Sequence, residues 1–164
     1  MYTGFAEVYD TLMNDVHYGA WADMYARMMT AYGIPRNAKV CECACGTGSL
    51  TLPLQQLGYE MMGIDLSQEM LWQAAQKADG FDFTLASGDV SEVAAAAAMV
   101  AEVERKIGPV DILINNAGIT RDATFRKLSA LQWQEVINTN LNSCFNVTRP
   151  VIDGMRTRKW GRIV

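Results

Sequence analysis

A glycine-containing segment, Glu42 to Gly48, has the residue types and the spacing that most directly suggest ligand chemistry. Glycine allows a backbone turn to pass close to a bound molecule. The dinucleotide spacing G-x-G-x-x-G, which would place a pyrophosphate at a helix N-terminus, is absent because Ser49, Leu50 and Thr51 follow Gly48. The acid at Glu42 is expected to repel a pyrophosphate and to favour a cationic amino acid group. The alternative is a tight turn that needs glycine for its backbone alone.

Candidate binding residues also follow the other predicted strands, at Asp65 and Leu66, at Asp89 and Val90, and from Asn115 onwards. In open parallel sheets the ligand binds at the carboxyl ends of the strands, where the strand order reverses. A carboxylate at the tip of the second strand can accept two ribose hydroxyls and repels a 2′-phosphate. The candidate cofactor-binding residues on the strand ends are therefore Glu42, Ala44, Gly46, Gly48, Asp65, Leu66, Asp89, Val90, Asn115, Ala117 and Gly118.

The composition is typical of a soluble globular protein. Of the 164 residues 50% are hydrophobic and 20% are charged, with a formal net charge of −4. This acidic balance argues against a nucleic-acid partner, which would require a basic face. Apolar runs are too short to cross a membrane, and the first residues lack the basic and apolar regions of a secretion signal. A cytoplasmic location is expected.

Three of the four cysteines, Cys41, Cys43 and Cys45, alternate along a predicted strand, so their side chains are expected to share one face. A Cys-x-Cys-x-Cys run is not a zinc spacing, because tetrahedral zinc takes its ligands from two separated pairs. The sequence therefore predicts small buried thiols and no metal site. A thiolate cluster is the alternative.

Hydrophobic periodicity predicts helices and strands in alternation. Apolar residues at helical spacing run from Phe5 to Tyr32. Strands are expected near 38–43, 59–64, 81–86, 110–114 and 161–164, and a long helix from about Leu131 to about Arg158 has a break near Asn138. This alternation predicts one doubly wound α/β domain over residues 1–164. We expect a Rossmann-like three-layer sandwich around a five-stranded parallel sheet of order 3-2-1-4-5, with extra N-terminal helices.

The first part of the chain, about residues 1–76, resembles a class I S-adenosylmethionine-dependent methyltransferase. The resemblance rests on 5–10, 42–48 and 63–71, with Glu42 and Ala44 as departures from the family pattern. It implies that Gly46 and Gly48 face the methionine and ribose part and that Asp65 holds the ribose hydroxyls. It also implies that the N-terminal helices cover the pocket, which adds Tyr9, Tyr18 and Trp21 to the candidates. Ordinary core aromatics are an equally good interpretation of those three residues.

The second part, about residues 77–164, resembles a short-chain dehydrogenase/reductase of the acetoacetyl-CoA reductase type. The motifs are 88–90, the Asn-Asn-Ala-Gly run at 115–118 and 160–164. The resemblance implies that Asp89 and Val90 flank an adenine, that Asn115, Ala117 and Gly118 line the adenosine, and that Asn140 is the structural catalytic asparagine. No Tyr-x-x-x-Lys follows position 118, so efficient catalysis is not expected.

The two resemblances together predict an engineered hybrid with a junction at about 74–80, which binds S-adenosylmethionine or S-adenosylhomocysteine. An NAD-binding module is one alternative, and a protein for folding or evolution studies that binds neither ligand is another. A residual methyltransferase is a weaker option. The expected partner is a small adenosine-containing molecule, and the long helix from Leu131 suggests a homodimer.

Overall fold

Helices and strands alternate along the chain, and the computed structural model describes residues 5–78 and 84–164. In chain order the elements are α1 (Phe5–Leu12), α2 (Tyr18–Ala31), β1 (Lys39–Cys43), α3 (Thr51–Gln56), β2 (Glu60–Asp65), α4 (Gln68–Lys77), β3 (Thr84–Ser87), α5 (Val93–Ile107), β4 (Ile112–Ile114), α6 (Ala130–Ile137), a π-helical segment (Asn138–Asn142), α7 (Ser143–Arg158) and β5 (Arg162–Ile163).

The strands form one parallel sheet in the order β3-β2-β1-β4-β5, with β1 at its centre. β1 pairs with β2 on one side, where Cys43 lies opposite Ile64, and with β4 on the other, where Glu42 lies opposite Ile114. The predicted fold class and strand order are confirmed. The order reverses between β1 and β4, so the edge at which these two strands end is the expected position of a ligand.

Each face of the sheet packs against its own hydrophobic cluster, because side chains of a strand alternate between the two faces. Val40 of β1 lies in the cluster that includes Met29 of α2 and Leu54 of α3. Cys41 and Cys43 lie in the opposite cluster, with residues of α5 and α7. Alternation therefore also directs Glu42 towards the α2 and α3 side, as it does Val40.

The boundaries differ from the sequence prediction in two places. The pattern from 5 to 32 divides into α1 and α2, because a turn closed by a bond from the Val16 amide to the Met13 carbonyl separates them. Ser49, at the end of the glycine turn, donates its hydroxyl to Asp10, and α3 begins at Thr51 without a side-chain cap. The described part of the predicted strand at 81–86 is β3, which continues to Ser87, and positions 81–83 lie outside the described residues.

The predicted long helix is present, but at the position of the expected break the chain stays helical: a π-helical segment joins α6 directly to α7. Over residues 5–78 and 84–164, no helix has both the length and the apolar character that crossing a membrane requires.

Candidate functional site

The turn after β1 is built from three left-handed backbone positions. Ala44, Gly46 and Gly48 have φ angles of 55°, 56° and 75°. A Cβ added at Gly46 would meet nothing within 4 Å, so the backbone there borders open space, whereas one at Gly48 would lie 3.3 Å from the Cβ of Ala74. Glycine at position 48 therefore allows α4 to pack closely on the turn, and glycine at position 46 leaves room for a ligand.

Glu42 lies inside the protein, 1% exposed, beneath this turn. Its Oε2 accepts a hydrogen bond of 2.7 Å from the Thr51 hydroxyl. Burial raises the pKa of Glu42 from 4.5 to about 7, the Thr51 bond lowers it, and the nearby Asp65 raises it. Burial thus disfavours the charged form of Glu42, which weakens the expected repulsion between this acid and a pyrophosphate.

Asp65, at the end of β2, connects three strand ends. Its Oδ2 accepts from the Gly46 amide at 2.9 Å and its Oδ1 accepts from the Ser67 amide at 2.9 Å. Its own carbonyl accepts from the Gly88 amide beyond β3 at 3.2 Å. The neighbouring candidate, Leu66, is 64% exposed.

The segment after β4 reaches the turn after β1 through Asn116, a residue absent from the predicted set. Its Nδ2 donates to the Ala44 carbonyl at 3.3 Å. The backbone amide of Asn115 donates to the Val164 carbonyl at 2.8 Å, and Ala117 packs against the α5 and α7 cluster. Gly118 is exposed. A continuous series of contacts thus joins the ends of β4, β1, β2 and β3.

Polar side chains fix the backbone of the two outer loops. Asn140, in the π-helical segment, accepts from the Ile119 amide at 2.8 Å and donates to the Ile119 carbonyl at 2.9 Å. Buried Asn146 donates to the carbonyl of Val90 at 3.0 Å. Asp89 accepts from both the amide and the hydroxyl of Ser91, at 2.9 and 2.7 Å.

Of the three predicted N-terminal aromatics, Tyr18 lies beside the glycine turn. Tyr18 lines a cavity of about 370 Å³ together with Gly48. Burial, followed by the nearby Tyr9, raises the pKa of Tyr18 to about 12. Trp21 packs edge-on against Tyr18, with ring centroids 5.6 Å apart, and Tyr9 packs in the same way against Phe5 at 5.7 Å.

A cluster of four polar residues, which the sequence did not predict, lies beside this cavity, and three of them, Asp10, Ser49 and Lys77, line it. Lys77 Nζ lies 2.7 Å from Asp10 Oδ2, 3.0 Å from Thr47 Oγ1 and 3.2 Å from Ser49 Oγ. The hydroxyls of Thr47 and Ser49 donate to Asp10 Oδ1. Hydroxyls within a glycine turn were a visible signal, but their partners lie 37 and 30 positions away in the chain.

The cysteine side chains of β1 and its turn are buried, as the sequence predicted. A bond to Cys43 and then burial raise the pKa of the Cys41 thiol well above its usual range, and burial raises that of Cys45. Such thiols are protonated at neutral pH and are poor metal ligands. No group of three or more metal-binding side chains occurs among the described residues.

Comparison with known proteins assigns this α/β sheet to a family. The model of the short chain dehydrogenase family matches residues 43–164. An acetoacetyl-CoA reductase from Allochromatium vinosum is 53% identical over 93 residues, which cover 57% of this chain and 38% of that protein. A 3-oxoacyl-acyl-carrier-protein reductase from Pseudomonas aeruginosa is 34% identical over 118 residues, 71% of this chain and 48% of that protein. The serine dehydrogenase of Escherichia coli superposes with a TM-score of 0.68 at 29% identity, covering 76% of this chain and 59% of that one.

The chain therefore belongs to the short-chain dehydrogenase family. Its match covers less than half the length of each of the two reductases named above.

The prediction of an engineered hybrid that binds S-adenosylmethionine or S-adenosylhomocysteine is wrong. The family match begins at residue 43, includes the glycine turn and Asp65, and continues through the supposed junction at 74–80. The prediction was wrong because it took the ligand from the acid at Glu42 and from the absence of the G-x-G-x-x-G spacing in the turn. The structure buries the acid, and the turn supplies left-handed backbone at three positions without the expected motif. The NAD-binding alternative agrees better with the family.

Proposed function

We propose that this chain binds a nicotinamide adenine dinucleotide at the edge where β1 and β4 end. One observation supports this assignment above the others. The glycine turn, Asp65, the loop after β3 and the Asn115 to Gly118 segment are linked by direct contacts, and a single family match covers all of them. A ligand with an adenosine half and a diphosphate requires such a continuous edge.

The individual roles proposed here are those that the resemblances imply for the residues at each strand end. Asp65 would accept the adenosine ribose hydroxyls, Asp89 and Val90 would flank the adenine, and Asn115, Ala117 and Gly118 would line the adenosine. The open space above Gly46 fits the passage of the ligand across the turn. Leu66 would border the ribose, and Tyr18 would pack beside the turn, with Tyr9 and Trp21 supporting it.

The full protein, we propose, is a reductase of the kind its relatives' names describe. The bound nicotinamide supplies the hydride in such reactions. The residues of this chain bind and orient, and Asn140 holds the backbone at Ile119 beside the ligand edge. Residues 1–164 would act as one cofactor-binding domain. Asp65 would favour NADH over NADPH, because its charge repels a 2′-phosphate.

Calorimetric titration of the whole chain with NADH, NADPH and S-adenosylmethionine tests this proposal. We expect NADH to bind most tightly and S-adenosylmethionine not to bind. The Asp65→Asn variant should weaken NADH binding about 10- to 100-fold, which corresponds to the roughly 1.5–3 kcal/mol of a hydrogen bond to a charged group. Glu60→Gln, which removes an exposed acid at the other end of β2, is the matched control. Tighter binding of S-adenosylmethionine than of NADH would overturn the proposal.

Self-association is a second proposal, since α6, the π-helical segment and α7 carry large apolar side chains on their surface. Leu131, Trp133, Leu141 and Phe145 are each more than half exposed. Clustered exposed apolar residues are typical of protein interfaces. Sedimentation velocity should show a homodimer for the native chain and a monomer for Phe145→Lys. A native chain that sediments as a monomer at high concentration would contradict the proposal.

A further inference from the structure

The carboxylate of Asp10 lies among three donors that come from two different parts of the fold. The hydroxyls of Thr47 and Ser49 come from the glycine turn, and the ammonium of Lys77 comes from the last turn of α4. Asp10 itself comes from α1, so the contact fastens the N-terminal helix over the turn.

These donors have the chemistry of an anion site. Thr47 is 1% exposed, so its hydroxyl is a buried donor that requires an acceptor. A lysine ammonium and two hydroxyls are common ligands of phosphate oxygens. The environment holds the carboxylate in its charged form: burial raises the pKa of Asp10, but the bonds from Lys77 and Thr47 lower it more, and the net pKa is below the usual value. The acceptor present here is therefore a full negative charge.

The site is accessible to a ligand. Asp10, Ser49 and Lys77 all border the cavity of about 370 Å³ that also includes Gly48, a size within the range of small-molecule pockets. The side chains of Lys77 and Asp10 are 31% and 44% exposed. A surface ion pair of this kind contributes little to stability, so an incoming anion could replace the carboxylate at small cost.

We infer that Thr47, Ser49 and Lys77 form a phosphate-class anion site, and that Asp10 is a built-in competitor that occupies it when no ligand phosphate is bound. The Asp10 carboxylate neutralises the Lys77 ammonium, so this ammonium is not available to another anion until Asp10 leaves. The dinucleotide of the proposed function is one such ligand, and only this choice of physiological ligand rests on that proposal. The anion site itself does not.

Titration of the full chain with sodium pyrophosphate, followed by calorimetry, tests the competition. Asp10→Ala removes the competitor and leaves one uncompensated ammonium, and it should bind pyrophosphate about tenfold more tightly than the native chain, or about 1.4 kcal/mol. The double variant Asp10→Ala/Lys77→Gln should lose this gain. Asp23→Ala is the matched control, because it removes an exposed acid that borders a different cavity on α2, and its affinity should equal that of the native chain.

Two results would overturn the inference. One is equal pyrophosphate affinity of Asp10→Ala and the native chain. The other is a gain that persists in the double variant or appears equally in Asp23→Ala, since either would reflect net charge and not this site. Circular dichroism checks each fold, and Asp10→Asn, which keeps the side-chain size, provides a second neutral variant with the same expected direction.

The same experiment separates the two proposals. If NADH binds the native chain but Asp10→Ala does not improve pyrophosphate binding, the role of Asp10 as a competitor is refuted and the dinucleotide function stands. If pyrophosphate binding improves but NADH binds no variant, the anion site stands and the dinucleotide function is refuted.

Discussion

Replacing the buried acid beneath the glycine turn should change how stability depends on pH. Glu42 is buried between β1 and α3 and has one hydrogen-bond partner in the described structure, the Thr51 hydroxyl. The Glu42→Gln variant keeps the shape and an acceptor for that hydroxyl but cannot ionise. The two proteins should therefore differ mainly where the native carboxyl loses its proton.

The size of the effect follows from the pKa of Glu42, which burial raises from 4.5 to about 7. The folded chain holds this proton more tightly than the unfolded chain, so the stability of the folded state falls as the pH rises from about 4.5 to about 7 and is constant beyond. Each pKa unit corresponds to about 1.4 kcal/mol, so the native chain should lose about 3 kcal/mol over this interval through Glu42.

Urea unfolding at pH 4, 6, 7 and 8 measures the difference. The free energy of unfolding of Glu42→Gln minus that of the native chain should increase by about 3 kcal/mol between pH 4 and pH 8. Other titrating groups cancel in this comparison, and so does any fixed cost of the new amide. Thr51→Val is the companion variant: it removes the bond that lowers the pKa of Glu42, so the loss of stability should extend to higher pH.

A difference that is constant from pH 4 to pH 8 would refute this reasoning, because it would mean that Glu42 titrates alike in the folded and unfolded chains. In that case the carboxyl would be hydrated and fully charged at neutral pH, and the expected repulsion of a pyrophosphate by Glu42 would stand.

Three further substitutions test local features. Ala44→Gly should raise the free energy of unfolding by about 0.5–1 kcal/mol, because position 44 has a φ of 55°, which strains any residue with a Cβ; a lower melting temperature would contradict this. Asn140→Ala should lower the free energy of unfolding by about 1 kcal/mol and speed hydrogen exchange at the Ile119 amide, because it removes the acceptor of that amide. Unchanged exchange at Ile119 would contradict this. Asn146→Ala should cost about 2 kcal/mol in urea unfolding, because it leaves the Val90 carbonyl without its buried donor; a neutral effect would mean that water replaces the side chain.

Much of the fold could be predicted because its determinants are local. Turn residues such as Gly33 and Gly108 end hydrophobic runs of the right length, and alternation of strands and helices leaves few topologies for a parallel sheet. The edge on which the candidate residues would meet followed from the same rule. Asp65 and Asn115 were therefore located at strand ends before any contact was known.

The ligand could not be predicted from the glycine turn alone. Composition and spacing did not reveal that the Glu42 side chain is buried and accepts a hydrogen bond from Thr51 of α3. The contact between Asn116 and Ala44 spans 72 positions, and that between Lys77 and Asp10 spans 67. Partners so far apart have no periodic signal in the sequence.

The sequence by itself determined the order of helices and strands, the strand order of the sheet and the residues at the strand ends, because hydrophobic period and turn chemistry act over a few neighbouring positions. The tertiary structure alone decided that Glu42 is buried with a raised pKa and that Asp10 accepts the hydrogen bonds of the donors around the glycine turn. Burial and charge pairing depend on which elements pack together, and packing is a property of the whole chain.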